Sequence, residues 1–497
     1  MEGALTAGER PAARPRDRGL VSGSAAGELS ERKVLMTHMP AVTSQIAEFA
    51  VTADGSTLPD EALHLAERAV TDTIGVILAA THDRTVEAIQ AAHRGRLCPG
   101  PASVLAMGQR TQAVQAALLN GTAAHALDFD DVADGIKGHP STVLVPAILA
   151  VAQEVQASGR DVLEAYCVGF QIESAIADGM AIDRHYARGW HSTATIGVLA
   201  AAAAACRLLG FDVTRTRQAL GIAASMAGGS RQNFGTMTKP LHAGMAASDG
   251  VLAATLASAG FTADTAQLES PLGYFALYGD ENNDLSRVAT TLSEPWSIVT
   301  RGLNVKKFPC CYNTHRAADA VLSLTGEGLR AEDVASAQVT LEPAGLGPLI
   351  HHRPRTGLQG KFSLEYVTAA ALLDGKLTLR TFTDEEVQRS EAQDLLARVS
   401  VAESDTPPAG DASWQHAYAA IKVRTRGGKQ LECRVDIPRG HAALPLTEEE
   451  LTAKFTDCVA FSGTGYDAAA LLDLFLHLRK EPAVTDLVPA QGQSRSA

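Results

Sequence analysis

Hydrophobic periodicity switches from helix to strand after Lys307 of this 497-residue chain, and that switch constrains the fold more than any other feature. From Val51 to about Asn304 the texture is helical. Ser56-Thr57 and Pro59-Asp60 supply a start signal, and Leu63, Ala66, Val70, Ile74 and Ile77 then recur on one helical face. Further helices are predicted over Val145–Val155, behind Pro146, and over Trp190–Leu209, ended by Gly210. Alanine is so frequent in these stretches that helices can approach closely with few aromatics between them. After Lys307 strand alternation takes over: Ala337, Val339 and Leu341 alternate with Gln338 and Thr340, and Ile421, Val423 and Thr425 with Lys422 and Arg424. Gly427-Gly428 then turns the chain into Leu431, Cys433 and Val435, a hairpin signal. Phe362–Leu373 reads as a helix between the strands, ended at Asp374-Gly375.

Helical texture returns at Thr447, which caps a segment with Glu448, Glu449 and Glu450 in its first turn. Leu471, Leu474, Phe475 and Leu478 then form an apolar stripe. The fold class expected is mainly α: a large all-helical domain with a smaller inserted α+β lid. The expected limits are a disordered extension over 1–42, helical domain over 43–304, lid over 305–446, helical return over 447–480 and a disordered tail over 481–497. A cleft between helical domain and lid is the default place for a ligand.

Composition removes several functions. The chain carries 43 Lys and Arg against 56 Asp and Glu, a formal net charge of −13 spread without blocks. No basic face for nucleic acid is predicted, and an anionic ligand must be met by a local group of cations. Seven cysteines without a Cys-x-x-Cys pair fit free thiols in a reducing cytoplasm. The apolar run Ala194–Ala205 is closed by Arg207, well short of the ~20 residues a bilayer needs, so no membrane span is expected.

Phosphate-loop, dinucleotide, nucleophile-elbow and His-Glu-x-x-His signatures are all missing, and the adjacent Cys310 and Cys311 are poorly placed for an iron–sulfur cube. No cofactor and no metal are expected. Four polar clusters interrupt apolar sequence instead. The first runs from His125 through Asp128, Asp130 and Asp131 to His139 and Ser141. Three carboxylates in four positions are costly to bury unless one is protonated or cations lie close. The second, Gly189-Trp190-His191-Ser192-Thr193, sets a histidine at a helix start, where the dipole favours neutral imidazole. The third holds Lys239 and His242 among small residues, and the fourth, Val305 to His315, holds Lys306 and Lys307 at the predicted domain border. Each alone could be a solvated loop, a cap or a basic linker.

In this order, and together with Leu272-Gly273-Tyr274-Phe275 and Lys361-Phe362-Ser363-Leu364-Glu365-Tyr366, the clusters resemble the MmgE/PrpD family over roughly residues 43–480. The resemblance implies a helical domain with an α+β lid, usually as a homodimer, and a cofactor-independent enzyme acting on a small di- or tricarboxylate by proton transfer beside a carboxylate. Dehydration of the 2-methylcitrate kind is the first expectation. Epimerisation of an iminodisuccinate-like substrate or decarboxylation of a cis-aconitate-like one could use the same site, and a non-catalytic polycarboxylate-binding protein is a further alternative. The implied catalytic residues are Asp128, His139, His191, Lys239 and Lys306, with Lys307, His242 and Ser141 binding substrate. Asp128 or His191 would be base and His139 acid. Two positions depart from relatives: Val132 stands where dehydratases and decarboxylases often have Thr, and Cys311 where the decarboxylase has His.

Overall fold

The computed structural model describes residues 41–407 and 417–485. All but the end of the expected extension over 1–42 lies outside them, and Val42 already opens a helix. The larger part of the fold is built from α1 (Val42–Thr52), α2 (Asp60–Ala79), α3 (Ala113–Ala126), α4 (Ser141–Val155), α5 (Gly159–Gly179), α6 (Gly197–Leu208) and α7 (Thr238–Ser258), with shorter helices between. Asp60 and Glu61 complement the positive end of α2, which is buried almost all round beyond Ala66. In α6, Ala200 to Ala205 are fully buried. Such short side chains remove little apolar area each, so this core depends on close contact between many helices. Glycine makes the closest contact possible: a Cβ on Gly121 of α3 would lie 2.8 Å from the Cα of Gly244 in α7.

Three local expectations need correction. Helix α4 begins at Ser141, a turn before the predicted Val145, and carries Pro146 inside it. The missing N–H is outweighed by burial of Val143, Leu144, Val145, Ala147 and Ile148, each at most 1% exposed. The single helix predicted over Trp190–Leu209 is two: a turn at Ser192–Thr195, then α6. The Thr195 carbonyl at the break accepts the Tyr274 hydroxyl at 2.8 Å. The region is also not purely helical, since β1 (Ala102–Val104) and β2 (Gln109–Thr111) pair antiparallel past Gly108, whose φ is 59°.

The second hydrophobic core lies between residues 234 and 423. Here α8 (His315–Gly326) and α9 (Leu364–Asp374) pack on a four-stranded sheet of β3 (Val334–Leu341), β4 (Val399–Glu403), β5 (Ala419–Thr425) and β6 (Gln430–Val435), in the order β4-β3-β5-β6. Strands β3 and β4 are parallel, with α9 in the crossover, and the other pairs are antiparallel. Gly428, at φ 84°, turns the β5–β6 hairpin where the glycine pair predicts it, and Gly375, at φ 62°, ends α9.

The chain then rejoins the first core. Thr447 and Glu450 form a capping box at the start of α10 (Glu448–Ser462), and Phe455 from this helix packs against Gly75 of α2. The tail expected to be disordered from residue 481 is placed as far as 485: Val484 is fully buried and donates its N–H to the Ala157 carbonyl at 2.9 Å. Residues 486–497 lie outside the described residues.

Candidate active site

Helix α3 ends in the turn that carries the site. Leu127 caps the helix, and Asp128 follows with φ 52°, a left-handed conformation that Asp adopts more readily than most side chains. Its buried carboxylate accepts from Lys239 Nζ at 2.5 Å and pairs with Lys306 Nζ at 3.2 Å. Lys306 also donates to the Asp128 carbonyl at 2.9 Å. Burial alone would raise the Asp128 carboxyl, but the two ammoniums override it and hold it far below the ordinary range. Burial would likewise depress Lys306, and Asp128 and Asp130 instead hold it above its usual value. Asp128 is therefore a permanent anion that fixes two cations. This pairing opposes the base role expected as one option for it, since the two ammoniums favour the ionised carboxylate.

Asp130 serves the histidines. Its Oδ2 lies 2.9 Å from His125 Nδ1 and 2.7 Å from His139 Nδ1. Burial lowers both imidazoles, His125 to about 3, against the pull of Asp130. With Nδ1–H directed at the carboxylate, the neutral rings keep a lone pair on Nε2, and His125 Nε2 is buried without a partner. His139 Nδ1 is also 2.8 Å from the Asp131 carbonyl. The His125 and His139 ring centroids are 4.4 Å apart, and His191 lies 5.8 and 6.4 Å from them.

His191 Nδ1 meets His242 Nδ1 at 3.2 Å, while its Nε2 is buried and unpartnered. Burial, with His125, Lys239 and His139 nearby, keeps His191 neutral. The helix dipole invoked from sequence is a minor cause, because the helix after His191 spans only four residues. The Lys239 ammonium lies 5.4 and 5.1 Å from the ring centroids of Phe234 and Phe362.

Six of the eight sequence-derived residues thus meet: Asp128, His139, His191, Lys239, Lys306 and His242. Two do not. Lys307 turns away to pair with Asp319 at 3.5 Å and is partly exposed, as expected of a neighbour to a buried Lys306 in non-helical chain. Ser141 is committed beneath the site, its hydroxyl bonded to Asp131 and 2.6 Å from the Tyr166 hydroxyl. Neither is placed to hold substrate. Sequence reasoning also missed members. His125 and Asp130 stand inside the first cluster but were not singled out. Lys361, from the Lys-Phe-Ser motif, donates its ammonium to the Leu127 carbonyl. Cys311 donates its N–H to the Lys361 carbonyl at 3.0 Å. Burial and Asp128 push its thiol up to about 11, so it stays protonated.

His125, Asp128 and His139 offer ligand atoms within 4.8 Å of one another, enough in principle for a metal ion. Two ammoniums already neutralise Asp128, and both imidazoles are bonded to Asp130. A divalent cation there would displace or repel the lysines, so the donor set fits an organic anion better.

Residues 44–285 match the MmgE/PrpD N-terminal domain and residues 308–478 the MmgE/PrpD C-terminal domain. The chain is 30% identical over 410 residues to cis-aconitate decarboxylase of Homo sapiens, covering 80% of this chain and 83% of the relative. It is 30% identical over 349 residues to that of Mus musculus, covering 68% and 70%. With cis-aconitate decarboxylase of Aspergillus terreus it shares 28% over 388 residues, covering 73% and 79%. The chain belongs to the MmgE/PrpD family. No described helix is long and apolar enough to cross a membrane.

Proposed function

We propose that this protein is a carboxy-lyase acting on a small unsaturated tricarboxylate of the cis-aconitate kind. The observation that carries the reading is the meeting of two buried ammoniums, Lys239 and Lys306, at Asp128 beside three neutral imidazoles. An ammonium has three donors. Lys239 uses one on Asp128, and Lys306 uses its own on the Asp128 carboxylate and carbonyl, so donors remain for substrate carboxylates.

In the step proposed, the bond from the CH2 carbon to its carboxylate breaks and CO2 leaves. The electron pair shifts through the double bond onto the far carbon, whose carboxylate becomes an enediolate. That carbon then takes one proton, giving an unsaturated dicarboxylate. Lys239 and Lys306 stabilise the charge that grows on the enediolate, where donors fixed in advance in a dry site act most strongly. A bound trianion raises the proton affinity of the nearby imidazoles, so His191 or His139 supplies the proton. Dehydration, the first expectation from sequence, needs a base and an acid together, and the neutral imidazoles would serve it as well as decarboxylation. The named activity of the relatives supports decarboxylation instead.

The test is to incubate the protein with cis-aconitate in deuterated water. CO2 should be released and one deuteron should appear at carbon in the product. Release of water from 2-methylcitrate, or exchange into iminodisuccinate without CO2, would replace decarboxylation by the corresponding alternative. Lys239→Ala and His191→Ala should each lower kcat about a hundredfold or more with an unchanged circular dichroism spectrum. Wild-type turnover in both would discard the site.

A further inference from the structure

Three successive backbone carbonyls after α3 each end on a different buried ammonium. Leu127 O accepts from Lys361, Asp128 O from Lys306 at 2.9 Å, and Phe129 O from Lys454 at 2.8 Å. The lysines come from separate parts of the chain. Lys454 belongs to α10, Lys306 to the segment between the two cores, and Lys361 to the residues just before α9. Two of them are neutralised locally, Lys454 by Asp72 at 2.6 Å and Lys306 by Asp128 at 3.2 Å. Lys361 is not: among the described residues no carboxylate lies within ion-pairing distance of its ammonium, although the residue is only 4% exposed.

Asp83 and Asp128 act on this cation only from beyond ion-pairing distance, so the Leu127 carbonyl is its direct partner and desolvation of the charge is only partly offset. The negative end of a helix, with its unpaired carbonyls, is where a cation is least disfavoured. Lys361 reaches that end from the second core, and its own carbonyl holds the N–H of Cys311. It therefore ties the sheet-bearing core to the turn that places Asp128 between Lys239 and Lys306.

We propose that Lys361 is a positioning residue for the reaction, holding the Leu127–Asp128 turn so that Lys239 and Lys306 face the substrate. It touches backbone and acts through Asp128. The charged groups facing it are Asp83, Asp128, Cys310 and Lys306. Burial lowers Lys361 to about 8, against the pull of Asp83 and Asp128. Burial pushes Cys310 up to about 12, so it does not titrate in the same range. Deprotonation of Lys361 removes a cation from beside Asp128 and replaces a charge-assisted bond by a weaker neutral one.

The inference rests on the site proposed above, and the experiment separates the two. Lys361→Met in the full chain should lower kcat about tenfold or more with KM within about threefold. Lys361→Arg should largely restore kcat and move the alkaline limb, centred near pH 8 in the wild type, upward. In parallel, hydrogen exchange of the peptide spanning 125–131 should quicken in Lys361→Met without change in α5. A folded Lys361→Met protein with wild-type kcat overturns the proposal, and so does an alkaline limb that stays put in Lys361→Arg. Should the wild type leave cis-aconitate untouched, the function reading fails, and the exchange measurement still decides on Lys361: unchanged protection at 125–131 overturns it.

Discussion

Asp131 is buried against Ser141 and Tyr166, with Glu173 close by. Burial raises its carboxyl to about 7, aided by Asp130 and Asp72 and opposed by the Ser141 hydroxyl. Between its ordinary 3.8 and about 7 the folded chain holds a proton that the unfolded chain has released. The stability this contributes is present at low pH and lost as pH rises through about 7. Asp131→Asn cannot ionise and keeps an acceptor for Ser141. Its stability relative to wild type, from urea midpoints, should therefore improve from about pH 4 to about pH 7 and then level. A difference independent of pH would show that Asp131 does not titrate there. The sequence does reveal that three carboxylates so close together need cations or a proton. Both remedies are used, lysines for Asp128 and a proton for Asp131, while Asp130 is met by the Nδ1–H donors of two neutral imidazoles. Which aspartate takes which remedy was hidden, because the partners lie up to 178 residues away.

Helices α3 and α7 must cross within backbone contact for Lys239 to reach Asp128. A Cβ on Gly244 would sit 2.4 Å from the Leu118 carbonyl oxygen and 2.2 Å from the Thr122 hydroxyl. Backbone cannot yield as a flexible side chain does. Gly244→Ala should therefore destabilise the protein by about 1–3 kcal/mol and lower activity with it. A shift in urea midpoint at constant m-value would measure the first, and an unchanged midpoint would mean that the helices separate freely. At this level the sequence was legible where local chemistry is strong: the Gly427-Gly428 hairpin, the Thr447 cap, the Gly375 stop. It misled where long-range contacts override local signals. The Tyr274 hydroxyl interrupts the helix after Trp190, burial carries α4 through Pro146, and the three-residue strands β1 and β2 are too short to show alternation.

Taken whole, the molecule carries a net −13 yet gathers cations where an anion would bind. The mainly helical fold with a small sheet followed from the switch in periodicity after Lys307 and the helical return at Thr447. The kind of reaction did not, because dehydration, epimerisation and decarboxylation ask for the same lysines and differ only in which group departs. The three clustered histidines have one more consequence. His125, His139 and His191 are uncharged in the free protein, and the two lysines beside them share the single carboxylate of Asp128. A tricarboxylate entering this neighbourhood adds more negative charge than the two lysines can offset and so favours protonated imidazole, and association should draw hydrogen ions out of the buffer. Calorimetric titration with citrate in buffers of differing ionisation enthalpy should give heats that shift in proportion to that enthalpy. Heats that are the same in every buffer would place the ligand away from these rings.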